Sequence, residues 1–451
     1  MAAAPSARRT SPVARGIARD LAAAREAQRE WAGWPLEDRL RVVREIRHGL
    51  AAGAGKLAGA VLRCSLARRS EAEVLSSEIV PLADACRFLE REAPRLLAPR
   101  RLGAEGRPGW LAGVESEVRR EPLGVVLILA PSSYPLFLAG VQALQALAAG
   151  NAVLWKPGRG GYAAAWAFAE LAVLSGLDWR LLSVLEATDE AGREAIAAGP
   201  DKVVLTGSAA TGRKVLADLG ERLIPATAEL SGCDALFVLP EAGAADLERA
   251  ALAIRFGLTL NGGATCIAPR RVFVPAALAK ELEERLGNEG LLGSLELVPV
   301  AGIEQALALA AQSPYALGAS IFGPEEPARA LAGRVRAGVV VVNDVIVPTA
   351  DPRLPFGGRG ESGYGVTRGA EGLLDLTAVK VVAVRRGRRL RHLEEARPGD
   401  AEIFRAWLRL AHGGGLRERL AGGVSLVRAV AGRGKDEKHG KDPEGFEEVE
   451  A

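Results

Sequence analysis

Apolar residues return at three- and four-residue intervals through residues 13–98, where Leu21, Trp31, Trp34, Leu40, Val43, Ile46 and Leu50 are separated by charged positions. That period predicts helices with one buried face. A break at residues 103–109 follows. Residues 114–119 then alternate apolar and charged side chains, as an exposed strand does. From Gly124 the texture changes. Residues 124–130 form a continuous apolar run between Pro122 and Pro131, which suits a strand buried on both faces of a parallel sheet.

Strand and helix alternate from there. A helical stretch at 136–149 leads to a strand at 152–155 that ends in Lys156-Pro157. A helix at 163–174, a strand at 181–185 and a strand at 202–206 follow, the last running into Gly207-Ser208 and another helix. After Glu229 the pattern restarts with a strand at 235–239, a helix at 244–256, a glycine-rich bend, a strand at 271–274 and a helix at 276–286. Strands are predicted again at 319–322 and 338–343. This alternation predicts two α/β domains of the nucleotide-binding type, whose ligands gather at the carboxyl ends of the strands. The stretch 376–384 is strand-like and is expected to pair with the strand near residue 116, across domains or across subunits. Beyond Arg385 a basic cluster (Arg385, Arg386, Arg388, Arg389, Arg391) precedes two amphipathic helices at 401–411 and 416–430. Residues 433–451 are charged, nearly without apolar residues, and expected to be disordered.

A chain of 451 residues is too long for one core and implies two or three domains. Its 58 Lys+Arg against 55 Asp+Glu leave a net charge of +3, which gives no ground for nucleic-acid binding. No apolar run approaches membrane-spanning length and the N-terminus lacks a secretory pattern, so a cytoplasmic protein is expected. Cys64, Cys86, Cys233 and Cys266 are scattered, without a Cys-x-x-Cys, which argues against a disulfide framework or a zinc site. No metal is expected.

Two segments carry candidate chemistry. Cys266 follows Asn261-Gly262-Gly263-Ala264-Thr265 and precedes Ile267-Ala268-Pro269-Arg270, and Glu229 lies in Ala228-Glu229-Leu230-Ser231-Gly232. A lone cysteine is more often an inert small hydrophobe, and a lone Glu a solvated end. Together they are the parts thioester chemistry needs, a thiol to attack a carbonyl and an acid to activate water. A third segment, Thr206-Gly207-Ser208-Ala209-Ala210-Thr211-Gly212, closes a strand and opens a helix whose free N–H groups suit a pyrophosphate.

These segments, with Gly150-Asn151 through Lys156-Pro157 and Pro355-Phe356-Gly357-Gly358 through Ser362-Gly363, resemble the aldehyde dehydrogenase superfamily over about residues 20–385. The resemblance implies an NAD(P)-binding domain over 13–106 and 123–231 and a catalytic domain over 232–370. It implies oligomerisation strands at 107–122 and 371–387, with 388–451 as a C-terminal extension. It further implies NAD- or NADP-dependent oxidation of a small-molecule aldehyde to an acid, in a homodimer or higher homo-oligomer. Cys266 is then the nucleophile and Glu229 the base that hydrolyses the thioester. Family members that pass the acyl group to coenzyme A generally lack this acid. Pro131, Lys156, Gly207, Ser208 and Gly212 are implied on the cofactor. Many relatives follow Lys-Pro with Ser-Glu. Here Gly158-Arg159 follows, and Arg159 either pairs with a 2′-phosphate or points to solvent.

The chain departs from the family in two places. Pro131-Ser132-Ser133-Tyr134-Pro135 puts Ser133 where an asparagine amide normally joins the oxyanion hole, and a hydroxyl is shorter and donates only once. The connection after Val274 is several dozen residues short and lacks the Glu-x-Phe-Gly-Pro acid that holds the nicotinamide ribose. Two further readings therefore stay open. One is a catalytically impaired relative with a binding or assembly role; the other is non-redox thioester or esterase chemistry at Cys266.

Overall fold

The computed structural model describes residues 12–64, 69–287, 294–386, 391–393 and 395–439. Residues up to Arg107 together with Glu115–Ala383 form one compact unit; Pro108–Val114 and the chain from Val384 onward form another.

The first unit is built on two parallel sheets. In one, the spatial order is Gly363–Tyr364, Ala226–Glu229, Lys202–Thr206, Val125–Leu129, Ala152–Lys156, Leu182–Val184. All pairings are parallel except that of the edge strand Gly363–Tyr364. The chain starts at the centre, winds outward one way, then returns to wind the other way. The switch point falls between Val125–Leu129 and Lys202–Thr206, where a ligand crevice is expected. Val125, Val126, Leu127 and Ile128 are fully buried, as the uninterrupted apolar run predicted. The other sheet repeats the scheme in the order Glu296–Val300, Pro269–Pro275, Asp234–Val238, Gly318–Phe322, Val339–Val342, entirely parallel. The fold is doubly wound α/β twice over.

The N-terminal helices Pro12–Ala32, Leu36–Ala52, Ala54–Cys64 and Val80–Leu96 bury the predicted face, with Leu21, Trp31, Leu40, Val43, Ile46 and Leu50 in one core with the first sheet. Trp34 is the exception and stays about half exposed. Asn151 has a structural task. Its Oδ1 accepts from the N–H groups of Leu123 and Gly124, and its Nδ2 donates to Ala146 O and Leu376 O. A third sheet has the order Arg100–Leu102, Val114–Pro122, Thr377–Arg385, so the predicted partner strands meet within the chain. Thr377–Arg385 is its outer strand, and Val379 and Val381 are exposed on it.

The second unit holds the predicted helices, Asp400–His412 and Leu416–His439, packed as a hairpin. A Cβ on Gly422 would lie 2.4 Å from Leu410 N, so the two helices meet backbone to backbone at that glycine. The expectation of disorder from residue 433 is corrected, because the helix continues to His439. Most of residues 433–439 are competent helix formers extending a helix already nucleated, where no new nucleation cost arises. Residues 440–451 and Arg388 and Arg389 of the basic cluster lie outside the described residues.

Candidate active site

Glu229 is the last residue of its strand, level with Thr206 on the neighbouring strand. The edge strand Gly363–Tyr364 closes over it, with Gly363 opposite Glu229 and Leu230 N–H donating to Ser362 O (3.0 Å). A Cβ on Gly363 would fall 1.9 Å from Ala228 O, so only glycine permits this pairing. Ser362 Oγ donates to Ser231 O (2.8 Å) and accepts from Ala316 N–H (2.9 Å). The Ser-Gly of the C-terminal motif is thus the clamp on the strand that carries Glu229.

Cys266 lies just past a left-handed turn, in which Asn261, Gly262 and Gly263 have φ of 54°, 59° and 76°. Asn261 pins the turn from inside. Its N–H donates to Glu73 Oε1 and its Nδ2 to Ser133 O, both at 2.7 Å. Thr265 Oγ1 and Tyr134 OH share a 2.8 Å hydrogen bond. The two glycine-rich bends touch, since a Cβ on Gly232 would stand 2.7 Å from Cys266 O. Beneath them Glu78 accepts from the N–H groups of Leu136 and Phe137 (2.8 and 3.1 Å), anchoring the loop that carries Ser133. The buried Arg69 guanidinium pairs with Glu78 at 2.5 Å.

Two cavities meet at this point. The larger, about 840 Å³, runs over the carboxyl ends of the first sheet's strands and is lined by Pro131, Ser133, Lys156, Arg159, Gly207 and Ser208. The smaller, about 260 Å³, has mainly apolar walls, among them Phe137, Phe256, Ile346 and Phe356. Leu138, Glu229, Thr265 and Cys266 line both. Of the residues that the sequence assigns to catalysis or the cofactor, only Gly212 lines neither. It packs on Leu230, whose Cδ1 would stand 2.7 Å from an added Cβ, and so lets its helix approach the strand end.

The larger cavity fits a dinucleotide. Ser208 caps the helix Ala209–Gly220 by accepting from Thr211 N–H (3.1 Å), and Gly207, Ser208 and Thr211 bring this helix N-terminus to the cavity wall. Lys156 and Arg159 line it without an ion pair to another described residue, and Arg193 and Lys214, which sequence reasoning missed, join them. Burial pushes the Lys156 ammonium down, against the nearby Asp189 carboxylate, which pushes it up. Among the described residues none after Arg270 lines this cavity, in keeping with the shortened connection. Arg270 itself donates to Gly263 O. The Ser133 hydroxyl makes no hydrogen bond to another described residue and is free for a ligand.

Glu229 is buried. Its Oε2 accepts from Thr367 Oγ1 (3.1 Å), while Oε1 has no partner. Burial pushes its carboxyl up, opposed by the Arg368 charge and the Thr367 hydrogen bond. Burial likewise pushes the Cys266 thiol up, and the carboxyls of Glu229 and Asp234 add to this. Arg368 and Thr367 were invisible in the sequence because neither stands in a motif with a chemical signature.

A thiol and a carboxyl meet where a long groove joins an apolar pocket, at the strand ends of a doubly wound sheet, the arrangement of an α/β nucleotide-binding protein. The chain belongs to the aldehyde dehydrogenase family, whose model matches residues 10–290 and 295–382. It is 27% identical over 431 residues to 4,4'-diapolycopene aldehyde oxidase of Methylomonas sp., covering 80% of each chain. To a putative succinate-semialdehyde dehydrogenase [NADP(+)] of Mycolicibacterium smegmatis it is 28% identical over 459 residues, covering 84% of this chain and 86% of that one. The fold matches the crystal structure of a Mycobacterium tuberculosis aldehyde dehydrogenase complexed with NAD+ at a TM-score of 0.75, with 23% identity over 84% of this chain and 92% of that one. It matches NADP-dependent glyceraldehyde-3-phosphate dehydrogenase from Bacillus halodurans complexed with NADP equally well, at 0.75, with 23% identity over 82% and 91%.

Proposed function

We propose that this protein oxidises an aldehyde to a carboxylic acid with NAD or NADP, using Cys266 as nucleophile and Glu229 as base. The observation that carries this reading is the junction of the two cavities at Cys266 and Glu229. The Cys266 thiolate adds to the aldehyde carbon, and the new oxyanion faces the Ser133 hydroxyl. NAD or NADP held in the larger cavity, which Lys156, Arg159 and the Gly207-Ser208 turn line, would supply the hydride acceptor for that carbon. The acyl group is then held on Cys266 as a thioester. Glu229 takes a proton from the attacking water, the carbon–sulfur bond breaks, and the acid leaves. The apolar walls of the smaller cavity suit an aldehyde with a hydrocarbon body. A panel of aldehydes assayed with NAD and NADP tests this. Failure to reduce either cofactor with any aldehyde, with Cys266 still acylated by esters, would favour non-redox thioester chemistry instead.

Family membership and the free outer strand Thr377–Arg385 support a homo-oligomer, because an exposed edge with Val379 and Val381 invites pairing with a second copy. Among the described residues no helix is long and apolar enough to cross a membrane. A cytoplasmic enzyme remains the reading that the scattered, unpaired cysteines support.

Arg159 beside Lys156 favours NADP, since their charges suit a 2′-phosphate where an acid would repel it. NADP binding at least as tight as NAD binding is therefore expected. Arg159→Glu is expected to shift the ratio of affinities toward NAD by about fivefold, a modest change because Arg159 is exposed. Calorimetry with both cofactors measures it, and a clear NAD preference in the wild type would refute it.

Ser133 makes the enzyme slow on simple aldehydes, since losing one oxyanion donor costs about 10²–10³ in rate. Ser133→Asn is expected to raise kcat. If the variant folds and is no faster, another donor stabilises the oxyanion.

A further inference from the structure

Arg368 is the one cation among the described residues lining the smaller cavity, which also holds Glu73, Glu229 and Cys266. It is buried, and its backbone adopts φ 60°, an unusual conformation for a long side chain. One guanidinium nitrogen donates to Thr349 O (2.6 Å), and the guanidinium lies over the Phe356 ring at 4.4 Å and the Phe137 ring at 5.7 Å. It has no ion-pair partner among the described residues, and its Nε is buried without any partner. Its neighbour Thr367 holds Glu229 Oε2, while Glu229 Oε1 is also buried and unpartnered. A full positive charge has been placed at a thiol and a carboxyl without being matched to either.

We propose that Arg368 is the charge that lets Cys266 ionise: its guanidinium balances one negative charge, which Cys266 Sγ and the Glu229 carboxyl share, so the carboxylate, while ionised, competes with the thiol for Arg368. This rests on Cys266 being the nucleophile. An arginine stays protonated in a protein, so the buried group carries +1 throughout. With the thiol protonated and Glu229 ionised, the site is neutral. Moving the thiol proton onto Glu229 keeps it neutral. Losing that proton to water while Glu229 stays ionised leaves one uncompensated buried negative charge, which is unfavourable. The two acids therefore titrate as a pair.

The other groups around the pair do not supply this balance. Asp234 faces Cys266, but burial pushes its carboxyl well up, toward the neutral form. Tyr134 is committed to Thr265, and burial pushes its phenol up to about 12. Glu73 is committed to Asn261 N–H and lies 3.5 Å from Arg69. Arg368 thus acts through Cys266 and Glu229 as a positioning residue for charge.

The test is the rate of Cys266 alkylation by iodoacetamide across pH, with the labelled site identified by peptide mapping, in the full chain without cofactor. Glu229→Gln removes the competitor and is expected to react about threefold or more faster than wild type near pH 8, with a single midpoint. Arg368→Met is expected to react about tenfold slower, equivalent to one pKa unit, with Arg368→Lys restoring part of the loss. A slower Glu229→Gln overturns the proposal, as does a folded Arg368→Met with an unchanged profile. Should Arg368→Met fail to fold, the Glu229→Gln arm and an Arg368→Lys profile close to wild type decide. If Cys266 is not labelled ahead of the other cysteines in the wild type, it is the nucleophile assignment that fails.

Discussion

Cys266→Ala is expected to abolish aldehyde oxidation, lowering kcat/KM on the order of 10⁴-fold or more, with cofactor affinity unchanged within about twofold. The expected size follows from the site. Without Sγ the aldehyde carbon has no covalent partner, so neither the hydride donor nor the acyl intermediate forms. The other thiols cannot substitute. Cys64 and Cys86 are buried in the helical core, and Cys233 opens onto a separate cavity beside Phe237 and Arg271. The groove for the cofactor, in contrast, is made chiefly by strand ends and the start of the helix Ala209–Gly220, and Cys266 lines it only where it meets the smaller cavity. Steady-state assay with NAD and NADP, beside calorimetry on the same samples, separates the two effects. Activity retained in the alanine variant would move the chemistry away from this junction.

Much of the frame was legible because buried parallel strands announce themselves. The run 124–130 and the strands at 152–155 and 202–206 sit between turn residues, and each falls within two residues of its observed bounds. The strand Ala226–Glu229 was missed as a strand. Its alternating small and polar residues carry little apolar signal, and its burial comes from neighbours on both sides. The helix Gly369–Asp375 was overlooked for a similar reason, since two of its seven residues are glycines. The site divides the same way. Cys266, Glu229, Lys156 and the Gly207-Ser208 turn stand at strand ends and bends that neighbouring glycines and prolines mark in the sequence. Arg193, Lys214 and Arg368 look like ordinary surface or helix-end cations in the sequence. Only the fold shows that the first two reach the groove and that Arg368 is buried at the thiol. Asn151 is the converse case: a motif residue whose four hydrogen bonds join chain segments and leave it no free atom for a ligand.

Glu229→Gln is expected to leave a burst of reduced cofactor close to one equivalent per site, followed by steady turnover reduced by about 10²–10⁴-fold. The two phases depend on different groups. In the proposed mechanism, thiolate attack and hydride loss need Cys266, the oxyanion donor and the charge of Arg368. Deacylation needs a base to take a proton from water. Glutamine keeps the shape of the side chain and its contact with Thr367, but an amide cannot take that proton at neutral pH. The acyl group then stays on sulfur. Burial matters to the rate of the second phase in the wild type. A carboxyl pushed up from its ordinary range is a stronger base once ionised, while the neutral fraction grows as pH falls. The steady rate should therefore decline toward acidic pH in the wild type, and this decline should vanish in the glutamine variant. Stopped-flow absorbance at the reduced nicotinamide band, with acid quench and mass spectrometry to detect the acyl adduct on Cys266, resolves both phases. Loss of the burst itself would mean that Glu229 ionises the thiol. The competition between Glu229 and Cys266 for Arg368 would then be wrong as well, since without the carboxylate the charge of Arg368 alone should leave the thiol easier to ionise.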